Sequence, residues 1–365
     1  MQFDIVKLLN ETAEMGASDI HLQVGYPPIF RVKGVLTAGK YPPLNNEQIQ
    51  SFIQKIMPSR LNQSFNQTGG ADFSYMIPGV ARYRVSAYKQ RTTFGLSARA
   101  ITLKIPTFEE LEFPPAIKRI SNLRRGLVLV TGMTGCGKST TLASMINYIG
   151  NTRNCKIITA EDPIEYMFLD CKRSLISQRE IGTDVDTYVT ALKQSLRQDP
   201  DVILIGEMRD VDSIRIAIKA AETGHLVFST VHTTNAPHTI ERIISNFPQD
   251  EQELVTDQLA LNLRAIISQR LVKRADGSGR IAAMETLIVN ITVSKLIKEN
   301  RLLDIRNIMM TGIDDMQVFD QALANLYREN KITYQEGETE SDDIHAYKRF
   351  TLGTAASGDK GVIIG

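Results

Sequence analysis

Two rhythms of apolar residues run along the chain, and they change near residue 105. Before it, short helical periods mix with strict alternation. Ile49, Phe52, Ile53 and Ile56 recur at the spacing of one helix face, and Pro58 closes that helix. Ala81–Arg91 and Gly95–Leu103 read as strands; in the first, Tyr83, Val85 and Ala87 alternate inward against outward Arg82 and Arg84. Residues 1–105 are therefore predicted to form a small α+β domain. Residues 106–125 open on Pro-Thr-Phe-Glu-Glu-Leu-Glu-Phe-Pro-Pro, and three prolines predict a flexible linker with one helical turn. From Gly126, continuous apolar runs alternate with helical periods, the pattern of a parallel sheet with helices on both faces. Candidate strands are Gly126–Thr131, Lys156–Ala160, Val202–Gly206, Leu226–Thr230 and Ala282–Leu287, and a helical end-piece covers Val293–Asn330. The second domain is thus expected over 126–335. Residues 336–365 turn acidic, then small and glycine-rich, and predict a flexible tail.

The first apolar run of the second domain leads into Gly132-Met-Thr-Gly-Cys-Gly137-Lys138-Ser139, and Leu142, Met145, Ile146 and Ile149 follow at helical spacing. Strand, glycine-rich loop and helix in that order form a phosphate-binding loop. Its glycines let backbone N–H groups turn inward around phosphate oxygens. Gly132, Thr134, Gly135, Cys136, Gly137, Lys138, Ser139 and Thr140 are the predicted nucleotide contacts. Lys138 supplies a mobile positive charge for the β and γ phosphates, and the Ser139 hydroxyl suits Mg²⁺. ATP or GTP is the expected ligand.

Hydrolysis needs acids as well. Asp201-Val-Ile-Leu-Ile-Gly-Glu207 is a buried-strand run ending in Glu207, expected at the carboxyl edge of the sheet and holding Mg²⁺ through water. Its strand is expected to lie next to the phosphate-loop strand. Glu161-Asp162-Pro163-Ile164-Glu165 packs three carboxylates into five residues, and Pro163 could aim Glu165 at the water attacking the γ phosphate. His225 and His232 bracket the apolar run 226–231; His232 is the better candidate for a γ-phosphate sensor. In the first domain Arg84, Arg91 and Arg99, with Arg82, lie on the two predicted strands and could reach a neighbouring subunit's phosphate.

Composition narrows the partners. With 42% hydrophobic residues, 23% charged residues and a net charge of +1, no strong field invites nucleic acid or an anionic membrane surface. No signal-peptide pattern opens the chain and no apolar run approaches the ~20 residues of a membrane span, so direct membrane insertion is not expected and a cytoplasmic location is. Cys136, Cys155 and Cys171 form no Cys-x-x-Cys pair, which disfavours a disulfide framework or a thiolate zinc site.

Six motifs in sequence order resemble the secretion-superfamily ATPases that drive type IV pili. They are Ala17-Ser-Asp-Ile-His21-Leu, the phosphate loop, Glu161–Glu165, Arg197–Asp210, Ala221-Glu-Thr-Gly-His225 and Thr230-Val-His232-Thr-Thr. Within that superfamily the chain resembles the retraction motors, the PilT/PilU group: it starts directly at the Ser-Asp-Ile-His domain and lacks a four-cysteine zinc insertion. Met316–Tyr327 followed by Ile332-Thr-Tyr resembles the PilU end. At Val293-Ser-Lys-Leu-Ile-Lys-Glu299 the chain departs from the helix usual in PilT. Met133 and Cys136 replace the usual proline and serine of the loop. The resemblance implies a PAS-like N-terminal domain followed by a RecA-like ATPase domain, six such subunits in a ring, and ATP with Mg²⁺ bound between the domains. It further implies Glu165 as catalytic base, Arg84, Arg91 or Arg99 acting in trans, and a change of inter-domain angle on hydrolysis. The expected partners are an inner-membrane platform protein, met at the cytoplasmic face, and a second retraction ATPase. The alternatives are an accessory motor dependent on a partner ATPase and a pilus assembly or type II secretion ATPase.

Overall fold

The computed structural model describes residues 4–101 and 104–353. The last two residues of the expected strand Gly95–Leu103, and positions 354–365 of the expected tail, lie outside the described residues. Two compact units divide between Lys104 and Ile105, with Glu165–Met167 going with the first.

The first unit runs α1 (Ile5–Glu14), β1 (Asp19–Gln23), β2 (Ile29–Val32), β3 (Val35–Ala38), α2 (Asn46–Ile56), α3 (Asn62–Thr68), β4 (Gly70–Ile77), β5 (Ala81–Gln90) and β6 (Thr93–Ile101). Its six strands form one antiparallel sheet in the order β3-β2-β1-β6-β5-β4. Tyr83, Val85 and Ala87 are buried, and Ile49, Phe52, Ile53 and Ile56 of α2 pack into the same core. Asn45 caps α2 by accepting from the Gln48 N–H while the Gln48 side chain accepts from the Asn45 N–H.

The second unit begins with α4 (Pro115–Ser121), β7 (Gly126–Thr131), α5 (Lys138–Thr152), β8 (Lys156–Glu161), β9 (Leu175–Glu180), α6 (Tyr188–Ser195), β10 (Val202–Ile205), α7 (Val211–Glu222) and β11 (Leu226–Val231). It continues with α8 (Ala236–Ser245), α9 (Gln252–Asn262), β12 (Leu263–Lys273), β13 (Arg280–Ile288), α10 (Ile291–Lys298), α11 (Asp304–Met310), α12 (Phe319–Arg328), α13 (Tyr334–Glu340) and α14 (Ile344–Thr351). The sheet order is β13-β12-β7-β11-β10-β8-β9, parallel except for the antiparallel β12–β13 pair. Every residue of β7, β10 and β11 is buried, as expected of parallel strands covered on both faces.

Two expectations change here. Residues 106–125 are not a flexible linker: Phe108, Ile117 and Ile120 are buried in the core that also receives β7 and α5. The Ser144 hydroxyl donates to the Pro106 carbonyl at 2.7 Å, and Glu112 pairs with Arg274 and Lys331. Nor is 336–365 wholly a tail. Tyr347 of α14 is fully buried against Val272, Ile281 and Leu323. Asp320, fully buried, bonds Arg306 at 2.7 Å and accepts from the N–H groups of Asp342 and Asp343.

Candidate nucleotide site

Backbone conformation builds the phosphate loop between β7 and α5. Gly132 has φ +141° and a Cβ there would stand 2.5 Å from the Gln269 carbonyl oxygen, so the close approach of β12 demands glycine. Gly137 (φ +92°) forms the left-handed cap of α5. Leu142, Met145, Ile146 and Ile149 anchor that helix in the core, each buried side chain contributing roughly 1.5–3 kcal/mol. Fifteen residues of α5 direct their positive end at the loop. Lys138 is buried, and its ammonium donates to the carbonyls of Gly132 (2.9 Å) and Met133 (3.1 Å). Thr134, Gly135 and Ser139 are exposed, while Cys136 is buried and burial pushes its thiol up despite the nearby Lys138 charge. Buried lysine, inward-turning glycines and a helix N-terminus fit a polyphosphate. The open Ser139 hydroxyl fits a metal arriving with it.

The carboxyl ends of β10 and β11 make the second element. β10 does not adjoin β7 as expected; β11 lies between them, pairing Val231 with Thr131 and Ile205 with Ser229. The neighbour of the phosphate-loop strand is therefore the one that ends at His232. At the strand ends, the Thr230 hydroxyl donates to the Gly206 carbonyl at 2.6 Å, and the Met208 N–H to the Thr230 carbonyl. This lock brings Glu207 and His232 together, Oε1 to Nε2 at 3.3 Å, while Glu207 Oε2 accepts from Arg209 Nε at 2.7 Å. These three and Arg242 line a small cleft. His225 is not part of it. It stands at the opposite end of β11, seven residues and about 23 Å from His232 in an extended strand. Its Nδ1 lies 2.9 Å from the Ala220 carbonyl, at the end of α7.

The acidic loop after β8 splits into different roles. Glu161 accepts from Thr159 (2.6 Å) and Gln178 (3.1 Å), so it is held within the sheet edge. The Asp162–Pro163 bond is cis. Ile164 is buried and its N–H donates to buried Glu180 at 3.1 Å, and Glu165 follows, exposed.

In the first unit, Arg84 and Arg99 face each other across β5 and β6, and Arg99 faces Asp19 across β1. Like charges opposite one another repel, but Asp19, nearly buried, receives Arg99 Nε at 2.8 Å and has Arg31 at 3.7 Å. Burial works against ionisation of Asp19, yet the hydrogen bonds from Arg99 and Ser18 hold its carboxyl below the usual range. Arg84 is left exposed on that row. Arg91 sits in the β5–β6 turn with φ +46°, also exposed.

Sequence reasoning passed over Arg209, Gln269 and Glu285. Arg209 could have been found from its place two residues after Glu207; nothing local marks the other two. Glu285, on β13, is 1% exposed and accepts the Ala236 N–H at 2.7 Å, immediately beyond the His232–Asn235 turn.

A parallel α/β sheet with a phosphate loop at its carboxyl edge, following a separate α+β domain, defines a RecA-like ATPase domain with an N-terminal domain. The sequence profile described as "Type II/IV secretion system protein" matches residues 2–357, and the chain belongs to that family. It is 44% identical over 331 residues to the type IV pilus retraction ATPase PilT of Pseudomonas aeruginosa, covering 90% of this chain and 96% of that one. It is 38% identical over 361 residues to the type IV pilus ATPase PilU of the same organism, covering 98% and 94%. A crystal structure of the pilus retraction motor PilT with bound ADP matches with TM-score 0.88 at 41% identity, over 95% of this chain and 100% of that one. The X-ray structure of the Legionella pneumophila ATPase DotB matches with TM-score 0.75 at 27% identity, over 93% and 96%. Among the described residues, no helix is long and apolar enough to cross a membrane.

Proposed function

We propose that this chain is the ATP-hydrolysing motor of type IV pilus retraction, working as a homo-hexamer at the cytoplasmic face of the inner membrane on a platform protein there. The phosphate loop built on β7 and α5, within a chain that aligns with PilT over almost its whole length, carries this reading. Lys138 and the loop amides bind the phosphates of ATP; the Ser139 hydroxyl and Glu207 would hold Mg²⁺, which would supply charge to offset that developing on the phosphates. Glu165 takes the proton of the attacking water. His232, paired with Glu207, reports on the γ phosphate, and an exposed arginine of a neighbouring first domain, Arg84 or Arg91, or Arg99 freed from Asp19, stabilises transition-state charge. His225 takes no part.

Deleting the gene tests the reading. Over-piliated, non-twitching cells, restored by the wild-type chain and not by Lys138→Ala, are expected; bald cells would reassign the motor to assembly. A second reading, an accessory motor dependent on a partner ATPase and thus on a second retraction motor, is favoured by the PilU alignment running further along this chain than the PilT alignment. Wild-type-like retraction by Lys138→Ala in the presence of that partner would select it.

A further inference from the structure

Gln269 follows Ser268 on β12, and Ser268 is in register with Thr131, the last residue of β7. Gln269 is 2% exposed, and the two ends of its side chain engage the phosphate loop and the first turn of α5. Nε2 donates to the Cys136 carbonyl at 2.5 Å, and Oε1 accepts from the Thr141 hydroxyl at 2.7 Å. Chemistry fixes this orientation: turned end for end, the amide oxygen would face the Cys136 carbonyl oxygen, and neither carries a proton. The loop is close-packed on this residue. A Cβ on Gly132 would meet the Gln269 carbonyl at 2.5 Å, and one on Gly137 would meet Nε2 at 3.1 Å.

We propose that Gln269 is a positioning residue for nucleotide binding, which sets the peptide between Cys136 and Gly137 so that the Gly137 N–H faces the phosphates. The proposal rests on the reading of this loop as the ATP site. In a planar trans peptide, a carbonyl and the N–H that follows it point in opposite directions. Holding the Cys136 carbonyl toward β12 therefore turns the Gly137 N–H away from β12, into the concave side of the loop, where it donates to an anion. The flipped peptide would present a carbonyl oxygen to phosphate oxygens, and glycine at 137 offers little steric resistance to that flip. The amide of Gln269 supplies the missing resistance, and Thr141, one turn into α5, holds the amide.

The test measures binding of a fluorescent ADP analogue to the full chain, to Gln269→Glu and to Gln269→Met, with melting temperature and oligomeric state recorded for each. Gln269→Glu keeps the acceptor for Thr141 and replaces the donor facing Cys136 by a carboxylate oxygen. Both variants are expected to bind roughly tenfold more weakly or worse. Between about pH 8 and pH 6 the Gln269→Glu protein should recover affinity relative to wild type, because a protonated carboxyl regains the donor. A loss in Gln269→Glu that does not change with pH, as a mere packing role would give, overturns the proposal, and so does wild-type affinity in folded Gln269→Met. Should Gln269→Glu not fold, the Met variant decides alone. Lys138→Ala is measured alongside. If it binds as wild type does, or if wild type binds nothing, the ATP-site reading itself fails. If it loses binding while the Gln269 variants keep theirs, only the role of Gln269 fails.

Discussion

Replacing Glu285 by glutamine should abolish a fall in stability that the wild type shows as pH rises from about 4.5 through about 7. Burial drives the Glu285 carboxyl up from 4.5 to about 7, although the Ala236 N–H and the charges of Arg306 and Arg270 pull the other way; Asp342 adds to the rise. At 1.36 kcal/mol per pKa unit, the displacement corresponds to about 3 kcal/mol. The folded protein holds the proton more tightly than the unfolded chain does. The contribution is therefore complete below about pH 4.5 and lost as pH rises through about 7. The Glu285→Gln side chain is neutral at every pH, keeps an acceptor for the Ala236 N–H and mimics the protonated state. Urea unfolding of both proteins from about pH 5 to pH 8, followed by circular dichroism because the chain has no tryptophan, isolates the term as their difference. The variant should gain on the wild type by roughly 2–3 kcal/mol as pH rises across that range. A difference that stays flat would refute the assignment of a raised pKa to Glu285, and one that grows toward low pH would reverse its sign.

Other outcomes follow from the same geometry. Asp320→Ala leaves Arg306 and two backbone N–H groups without their acceptor, and should cost about 3–5 kcal/mol and expose the α13–α14 segment to protease before the rest of the unit. His232→Ala should lower ATP turnover roughly a hundredfold, whereas His225→Ala, at the far end of β11, should leave turnover unchanged once protein concentration is matched. Asp19→Asn removes the carboxylate that holds Arg99; because the Asp19 pKa lies below the ordinary carboxylate range, its stabilising contribution is present at neutral pH and lost only as pH falls through that lowered value. Acid unfolding of the isolated substitution against wild type, followed by the change in midpoint, checks the direction.

Much of the second domain was legible because its central strands are buried on both faces and therefore appear as unbroken apolar runs: β7 and β10 begin where those runs begin. The phosphate loop was legible for a different reason, since its chemistry requires glycine and lysine at fixed spacing. β12 was not. Helix α9 ends at Asn262 and β12 starts at Leu263, with no glycine or proline between them to mark the change. With β12 unseen, Gln269 was one polar residue among others. Strand order was also hidden, because the insertion of β11 between β7 and β10 is a long-range pairing with no local signature. The segment 106–125 was misread from its prolines; Pro114 and Pro115 start α4, where a missing N–H costs nothing, and Ile117 and Ile120 then bury one face. In α13, Tyr-Gln-Glu-Gly-Glu-Thr-Glu reads as a solvated strip, but partners distant in sequence hold it: Arg270 donates to the Glu340 carbonyl, the Lys273 N–H donates to Glu336, and Asp320 accepts from the Asp342 N–H just beyond the helix.

The most direct test of the central claim is steady-state ATP hydrolysis by the purified chain over a range of protein concentrations, beside Glu165→Gln. The account predicts specific activity that rises with concentration, as catalysis completed by a neighbouring subunit requires, and that vanishes in the variant while ATP is still bound. Activity independent of concentration, or undiminished in Glu165→Gln, would contradict it.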